Sequence, residues 1–135
     1  MMKTEIIQRG ETIIVDMDGM VDYESQEPFR ESLTRLVSKL KNSGKSSPQI
    51  IFNFEDLEFV GSSGISTFVH TLKSFGQSLD RSPKYCNVRS EFRRIMNAFD
   101  ENREFEFFET IEHALIAFES DTTYRGVYRK PKMDV

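Results

Sequence analysis

The sequence is poor in the residues that build cross-links, metal centres and membrane spans. Its single cysteine, Cys86, excludes an internal disulfide and a site made of several thiolates. Tryptophan is absent, and the two histidines, His70 and His113, have no second His or Cys at metal-ligand spacing. No apolar stretch has the length of a signal-peptide core or a transmembrane helix. We therefore expect a soluble, cytoplasmic protein with no metal and no direct membrane insertion.

The residues that are present describe an ordinary globular domain. The 135 residues suit one domain, and apolar residues at 38%, with twelve phenylalanines, can build its core. Charged residues make up 30% of the chain and the formal net charge is −4. A nucleic-acid binder would need a basic surface, so this balance predicts no nucleic-acid partner.

Strand-like and helix-like patterns alternate along the chain. The strands are predicted at residues 4–9, 12–18, 49–54, 85–88 and 104–108, and helical apolar spacing runs through residues 25–42, 65–79, 92–99 and 111–118. Gly10 suits the tight turn between the first two strands. Ile50-Ile51-Phe52 is apolar at successive positions, which is typical of a central strand covered on both faces. The order ββαβαβαβα predicts an α/β domain with a mostly parallel sheet.

Helix ends and the C-terminal segment complete the outline. Ser25, Ser90 and Thr110 precede the first, third and fourth helical patterns and are predicted N-caps. After residue 118 the periodicity is lost, so the domain is predicted at residues 4–118. Residues 119–135 form a polar, basic tail, for which partial disorder is favoured over a nucleic-acid or lipid contact because its few positive charges make a weak footprint.

Residues 57–65, which read LEFVGSSGI, form the most informative segment. They join the most apolar strand to a strong helix, so Ser62 and Ser63 lie where the first N–H groups of a helix have no internal partner. A serine in this place usually caps the helix, and spacing alone favours that role. An exposed hydroxyl there is also well placed for phosphorylation, because a helix N-terminus tolerates the dianion.

Other chemistry fits the sequence less well. A nucleophile elbow needs one more residue between its glycines than Gly61 and Gly64 allow. Gly44-Lys45-Ser46 has the last letters of a phosphate-binding loop but follows a helix and precedes a strand, the reverse of the required order. The carboxylates Glu55, Asp56 and Glu58 have no basic partner nearby, which favours a solvated turn over a hydrolytic site.

These segments resemble the STAS domain of anti-sigma-factor antagonists. Residues 57–65 resemble its L-x-F-[IVM]-D-S-[ST]-G-[LI] turn, and Gly19-Met20-Val21-Asp22 resembles its G-[ED]-[LIV]-D segment. The Cys86-Asn87-Val88 strand and the Arg93-Arg94-Ile95-Met96 helix resemble later parts of the family, in the expected order. The resemblance implies a sheet with helices packed mainly on one face, and no enzyme activity and no cofactor.

The resemblance also implies a switch. In such antagonists a serine is phosphorylated by a histidine-kinase-like ATPase that is itself the anti-sigma factor, and a phosphatase resets it. By position the phosphoacceptor is Ser62, with Ser63 the weaker candidate, and the partner-binding residues are Asp22, Gly61, Ser62, Ser63 and Gly64. This sequence has Gly61 where the family usually has aspartate, so the carboxylate that would act on the reactivity of the hydroxyl and on the contact with the kinase is missing.

Two further readings stay open at this point. STAS domains also occur as cytoplasmic accessory subunits of ABC lipid transporters, which need no phosphoacceptor and so tolerate Gly61. A third reading is a regulator that binds a nucleotide such as GTP or ATP at residues 61–64, which we call the serine loop. A neighbouring gene for a kinase-like ATPase would favour the first reading, and a permease gene would favour the second.

Overall fold

The computed structural model describes residues 2–44, 48–59 and 64–127, with the backbone alone from 121 to 127. The strands are β1 (Met2–Arg9), β2 (Thr12–Val21), β3 (Gln49–Phe59), β4 (Lys84–Cys86) and β5 (Glu106–Phe108). The helices are α1 (Gln26–Asn42), α2 (Ile65–Gln77), α3 (Ser90–Ala98) and α4 (Ile111–Val127), and a short 3-10 helix (Tyr23–Ser25) precedes α1. The predicted order ββαβαβαβα is confirmed.

The strands form one mixed sheet in the order β1-β2-β3-β4-β5. Strands β1 and β2 are antiparallel, and every later pair is parallel. Gly10 has a φ of +64° in the turn of the β1–β2 hairpin, which confirms its predicted role. Between β2 and β3 the register shifts after Asp16, which pairs with Asn53, so that Asp18 pairs with Asp56. This bulge inserts one extra residue into β3.

The sheet has a hydrophobic core on each face. The larger core joins β2, β3 and β4 to α1, α2 and α3, and is rich in aromatic rings that include Phe52, Phe54 and Phe68. On the other face, α4 buries Ala114 and Phe118 against the sheet. Three of the four helices thus share one face, as the resemblance implied.

Two predicted capping residues do not cap. Ser25 occupies the N-cap position of α1 without a side-chain capping hydrogen bond, and Ser90 is the first residue of α3 rather than its cap. The Ser25 hydroxyl is engaged with Asp22 instead. Thr110 does cap α4, because its Oγ1 accepts a hydrogen bond of 3.1 Å from the backbone N–H of His113.

Some elements extend beyond their sequence patterns. Strand β3 continues from Phe54 to Phe59 because its pairing with β2 resumes after the bulge and runs as far as Val21. Helix α4 continues to Val127, past the residue where its apolar pattern ends. Among the described residues, no helix is long and apolar enough to cross a membrane.

Candidate functional site

The predicted site residues begin where two parallel strands end. Val21, the last residue of β2, pairs with Phe59, the last residue of β3. Because the strands are parallel, the chain leaves both of them at the same edge of the sheet. Asp22 follows β2 directly, and Gly64 immediately precedes α2. The fold therefore brings these two predicted residues to one edge, which we call the carboxyl edge.

Asp22 holds the short 3-10 helix in place. Its Oδ1 accepts hydrogen bonds from the backbone N–H of Ser25 at 2.9 Å and from the Ser25 hydroxyl. The same hydroxyl accepts a bond of 2.8 Å from the backbone N–H of Met2, at the start of β1. Ser25 is fully buried, whereas Asp22 is half-buried and Tyr23 exposes 83% of its surface. The Asp22 carboxylate thus fixes the turn and leaves Tyr23 in solvent.

The electrostatics of Asp22 follow from these bonds. The Ser25 hydroxyl lowers the pKa of the Asp22 carboxyl below its ordinary value of 3.8. Desolvation opposes this effect, and the Ser25 backbone N–H adds to it. Asp22 is therefore a carboxylate at neutral pH. Its bonding to Ser25 is typical of a structural anion that shapes a loop.

Gln26 connects the two sides of the carboxyl edge. Its Nε2 donates hydrogen bonds to the carbonyl oxygen of Gly64 at 3.1 Å and to that of Asp22 at 3.3 Å. Its Oε1 is buried and has no hydrogen-bond partner among the described residues. The first residue of α1 is thereby tied to the residue that immediately precedes α2. We did not single out Gln26 from the sequence, because a glutamine at the start of a helix is usually a surface residue.

Gly64 has a backbone conformation that only glycine adopts readily. Its φ is +89°, in the left-handed region, and a Cβ there would lie 3.1 Å from Gln26 Nε2. The spacing predicts a serine, Ser62 or Ser63, at the N-cap of α2. The structure has Gly64 at that position instead. The predicted residues Gly61, Ser62 and Ser63 lie outside the described residues.

The start of α2 is free of negative charge. Its first turn contains no acidic residue, and its N-cap residue Gly64 has no side chain that could cap it. Exposed carboxylates lie nearby on the chain, at Glu24 after β2 and at Glu58 near the end of β3. A helix N-terminus favours an anion, whereas the carboxylates oppose one. The affinity of this place for a bound group would therefore depend on the charge of that group.

The other candidates for metal binding or nucleophilic chemistry are His70, His113 and Cys86. His70 and His113 are both exposed, on α2 and α4 respectively. Among the described residues, no group of three or more His, Cys, Asp or Glu side chains could hold a metal ion. Cys86 is fully buried. This burial is the main cause that raises the pKa of its thiol to about 12, and the negative charge of Asp16 is the second cause. Its sulfur lies 3.7 Å from the Oδ1 of Asn53.

The larger polar cluster around Asn53 has a structural role. Its Nδ2 donates to Asp16 at 2.9 Å, and its Oδ1 accepts from Asn87 Nδ2 at 2.8 Å. These bonds join side chains from β2, β3 and the residue after β4. Because the backbone N–H of Glu55 also donates to Asn53 Oδ1, the cluster stabilises the start of the bulge in β3.

Known proteins share both the sequence pattern and the fold. The profile of the STAS domain family matches residues 3–114. A putative anti-sigma factor antagonist from Thermotoga maritima has a TM-score of 0.66 at 16% identity, covering 86% of this chain and 94% of that chain. A serine-to-glutamate variant of RsbS from Moorella thermoacetica has a TM-score of 0.65 at 12% identity, covering 90% and 98%.

A third solved structure is the Bacillus cell fate determinant SpoIIAA in its phosphorylated form. Its TM-score is 0.57 at 21% identity, covering 87% of this chain and 99% of that chain. The search of curated proteins finds no match. At these identities the solved structures establish the fold, and the profile match over most of the chain establishes the family. This chain belongs to the STAS domain family.

Proposed function

We propose that this protein is a non-enzymatic interaction module of a partner-switching signalling pathway, similar to an anti-sigma-factor antagonist. Its partner would be an anti-sigma factor or a related serine kinase of the histidine-kinase-like ATPase class. The observation that carries the proposal is the link from Asp22 through Gln26 to Gly64. This link holds Gly64, the residue that immediately precedes α2, beside the segment that follows β2, at one edge of the sheet.

A protein partner suits this edge better than a small substrate. Tyr23, the residue after Asp22, is the most exposed of the large hydrophobic side chains described, and Met20 exposes 39% of its surface. Exposed Tyr and Met side chains are enriched in protein–protein interfaces. In the part of the chain that the structure describes, the edge carries no histidine, and the Ser25 hydroxyl that contacts Asp22 is fully buried and so is not presented to a substrate as a nucleophile.

Ser62 is the proposed phosphoacceptor, with Ser63 as the weaker candidate. A phosphoryl group adds about −1.5 to −2 charges near neutral pH. Exposed Glu58 lies four residues before Ser62, so a partner docked on this edge would have to enclose several negative charges at once. Repulsion and the cost of desolvation would then release a partner that binds the unmodified loop. A phosphatase would restore binding.

Gly61 sets the limit on this switch. The family's usual aspartate would place a carboxylate beside the acceptor hydroxyl, and glycine removes that carboxylate and loosens the backbone. We therefore expect slow phosphorylation of Ser62 and faster phosphorylation in a Gly61→Asp variant. We place the protein in the cytoplasm because its proposed kinase uses ATP.

The test is affinity purification of the tagged chain from its native cells, followed by mass spectrometry that identifies both the partner and the phosphosite. Recovery of a histidine-kinase-like ATPase, with phosphate on Ser62, supports the proposal. Recovery of an ABC permease without phosphate would replace it with the transporter-subunit function. A thermal shift with GTP or ATP and no protein partner would replace it with the nucleotide-binding function.

A further inference from the structure

Strand β1 is an open edge of the sheet. In the described sheet it pairs with β2 on one side and with no strand on the other. Its eight residues make it far longer than β5, the three-residue strand at the opposite edge. A long edge strand offers a row of backbone donors and acceptors to another strand, and natural sheets usually cover or interrupt such an edge.

Two isoleucines at the centre of this strand are exposed. Ile6 exposes 43% of its surface and Ile7 exposes 37%. Ile7 pairs with Ile14, which belongs to the core under α4, whereas Ile6 pairs with Val15 in the larger core. Directly paired residues share a face, so one isoleucine lies on each face of the edge. This edge of the sheet therefore carries an exposed apolar side chain on each of its two faces.

The charges along β1 are complementary to those of a second copy of β1 that runs in the opposite direction. Glu5 and Arg9 lie two residues before and after Ile7, on the same face of the sheet. If two copies of β1 pair antiparallel with Ile7 opposite Ile7, each Glu5 lies opposite an Arg9. If the register shifts by two residues toward the start of β1, Lys3 lies opposite Arg9 of the second copy. If it shifts by four residues, Glu5 lies opposite Glu5 of the second copy. Like charges directly opposite are destabilising.

We propose that two copies of this chain associate through β1, antiparallel and centred on Ile7, to form a continuous ten-stranded sheet. The partner of β1 is a second copy of the same strand, because β1 itself carries the opposite charges that the pairing needs. No ion pair involves Glu5 or Arg9 within the described residues. Both side chains are exposed and would gain partners across the two-fold axis.

The neighbouring strand adds a second reason. Glu5 lies directly opposite Asp16 on β2, so two carboxylates face each other within one copy. In the proposed register an Arg9 from the second copy arrives beside Glu5 on the same face. The guanidinium would offset the repulsion that Glu5 and Asp16 have in the single copy.

The dimer leaves the carboxyl edge accessible. The two-fold axis passes between the two copies of β1 at Ile7, and the antiparallel arrangement sends the two carboxyl edges to opposite ends of the joined sheet. Dimerisation therefore does not depend on the proposed partner switching. An edge contact of this size buries little surface, so we expect a weak, concentration-dependent dimer.

Charge reversal tests the register. Sedimentation of the full chain at concentrations up to about 1 mM should show a dimer. Glu5→Lys and Arg9→Glu should each weaken the affinity of dimerisation about tenfold or more. The double variant should restore that affinity to within about threefold of the wild-type value. A wild-type chain that stays monomeric overturns the proposal. Single variants that dimerise as the wild type does also overturn it.

Oxidative cross-linking tests the geometry independently. Cβ atoms of directly opposite residues lie about 5 Å apart, which suits a disulfide. An Ile7→Cys variant should form a covalent dimer readily, and Ile6→Cys should not, because Ile6 faces Gln8 in this register. The native Cys86 is buried and does not compete. Faster cross-linking through position 6 than through position 7 would contradict the register.

Discussion

The side-chain amide of Gln26 donates a hydrogen bond of 3.1 Å to the backbone carbonyl of Gly64, 38 residues further along the chain. The same amide also reaches the carbonyl of Asp22. One side chain therefore sets the distance between the segment after β2 and the start of α2. The serine loop ends at Gly64, so any function of that loop depends on where this bond holds it.

Replacing Gln26 tests this connection. We expect Gln26→Ala to lower the free energy of unfolding by about 0.5–1.5 kcal/mol, the usual net contribution of a hydrogen bond. Gln26→Glu should cost more, because it places a carboxylate against two carbonyl oxygens. Chemical denaturation measures both. Gln77, exposed at the far end of α2, is the matched control, and Gln77→Ala should change stability by less than about 0.5 kcal/mol. Equal effects at the two positions would remove Gln26 from the account.

Gly64→Ala tests the close approach at the start of α2. A non-glycine residue in the left-handed region costs about 1–2 kcal/mol, and a Cβ at this position would also crowd Gln26 Nε2. Gly10 is the control, because its φ is also positive but a Cβ there meets nothing within 4 Å. We expect Gly64→Ala to be more destabilising than Gly10→Ala in denaturant unfolding.

A double variant separates strain from contact in that comparison. On a Gln26→Ala background the extra cost of Gly64→Ala over Gly10→Ala should shrink, since the crowded amide is gone. An excess that persists unchanged would mean that the contact between Gly64 and Gln26 does not contribute.

Asp22 predicts a specific dependence of stability on acid. Its pKa in the folded state lies below the ordinary 3.8, so the carboxylate stabilises the fold above that ordinary value. This contribution is lost as the pH falls through the lowered pKa of the folded state. The difference in unfolding free energy between wild type and Asp22→Asn should therefore be constant from about pH 7 to about pH 5 and shrink below about pH 4. A constant difference across the whole range would contradict the assignment.

Cys86 should be chemically inert in the folded protein. Its thiol is buried and its pKa is raised to about 12, so almost no thiolate is present at pH 8 or so. Thiol-reactive dyes should label it at least about a hundredfold more slowly in the native state than in denaturant. A Ser74→Cys variant, exposed on α2, supplies the accessible control. Native Cys86 that reacts as fast as position 74 would argue against this burial.

The sequence predicts the order of elements well because each carries a strong local signal. Ile50-Ile51-Phe52 indicates a strand covered on both faces, and the structure places these residues in both cores. Gly10 indicates a tight hairpin, which the structure also has. These features depend on residues close together in the chain, so spacing alone reveals them.

Features that depend on distant residues could not be predicted this way. The Ser25 hydroxyl bonds to Asp22 and receives the N–H of Met2, and nothing near Ser25 announces the contact with β1. The bond from Gln26 to Gly64 likewise exists only because two parallel strands end side by side. Asp22 three residues before Ser25 was the available local signal, since aspartate commonly accepts from such an N–H.

The affinity of the purified protein for its co-purified partner tests the central claim most directly. The proposal predicts that Ser62→Ala binds as the wild type does, whereas Ser62→Asp binds at least about tenfold more weakly because of its added negative charge. The matched pair Ser63→Ala and Ser63→Asp should differ less. Equal affinities of Ser62→Ala and Ser62→Asp would contradict a switch at Ser62.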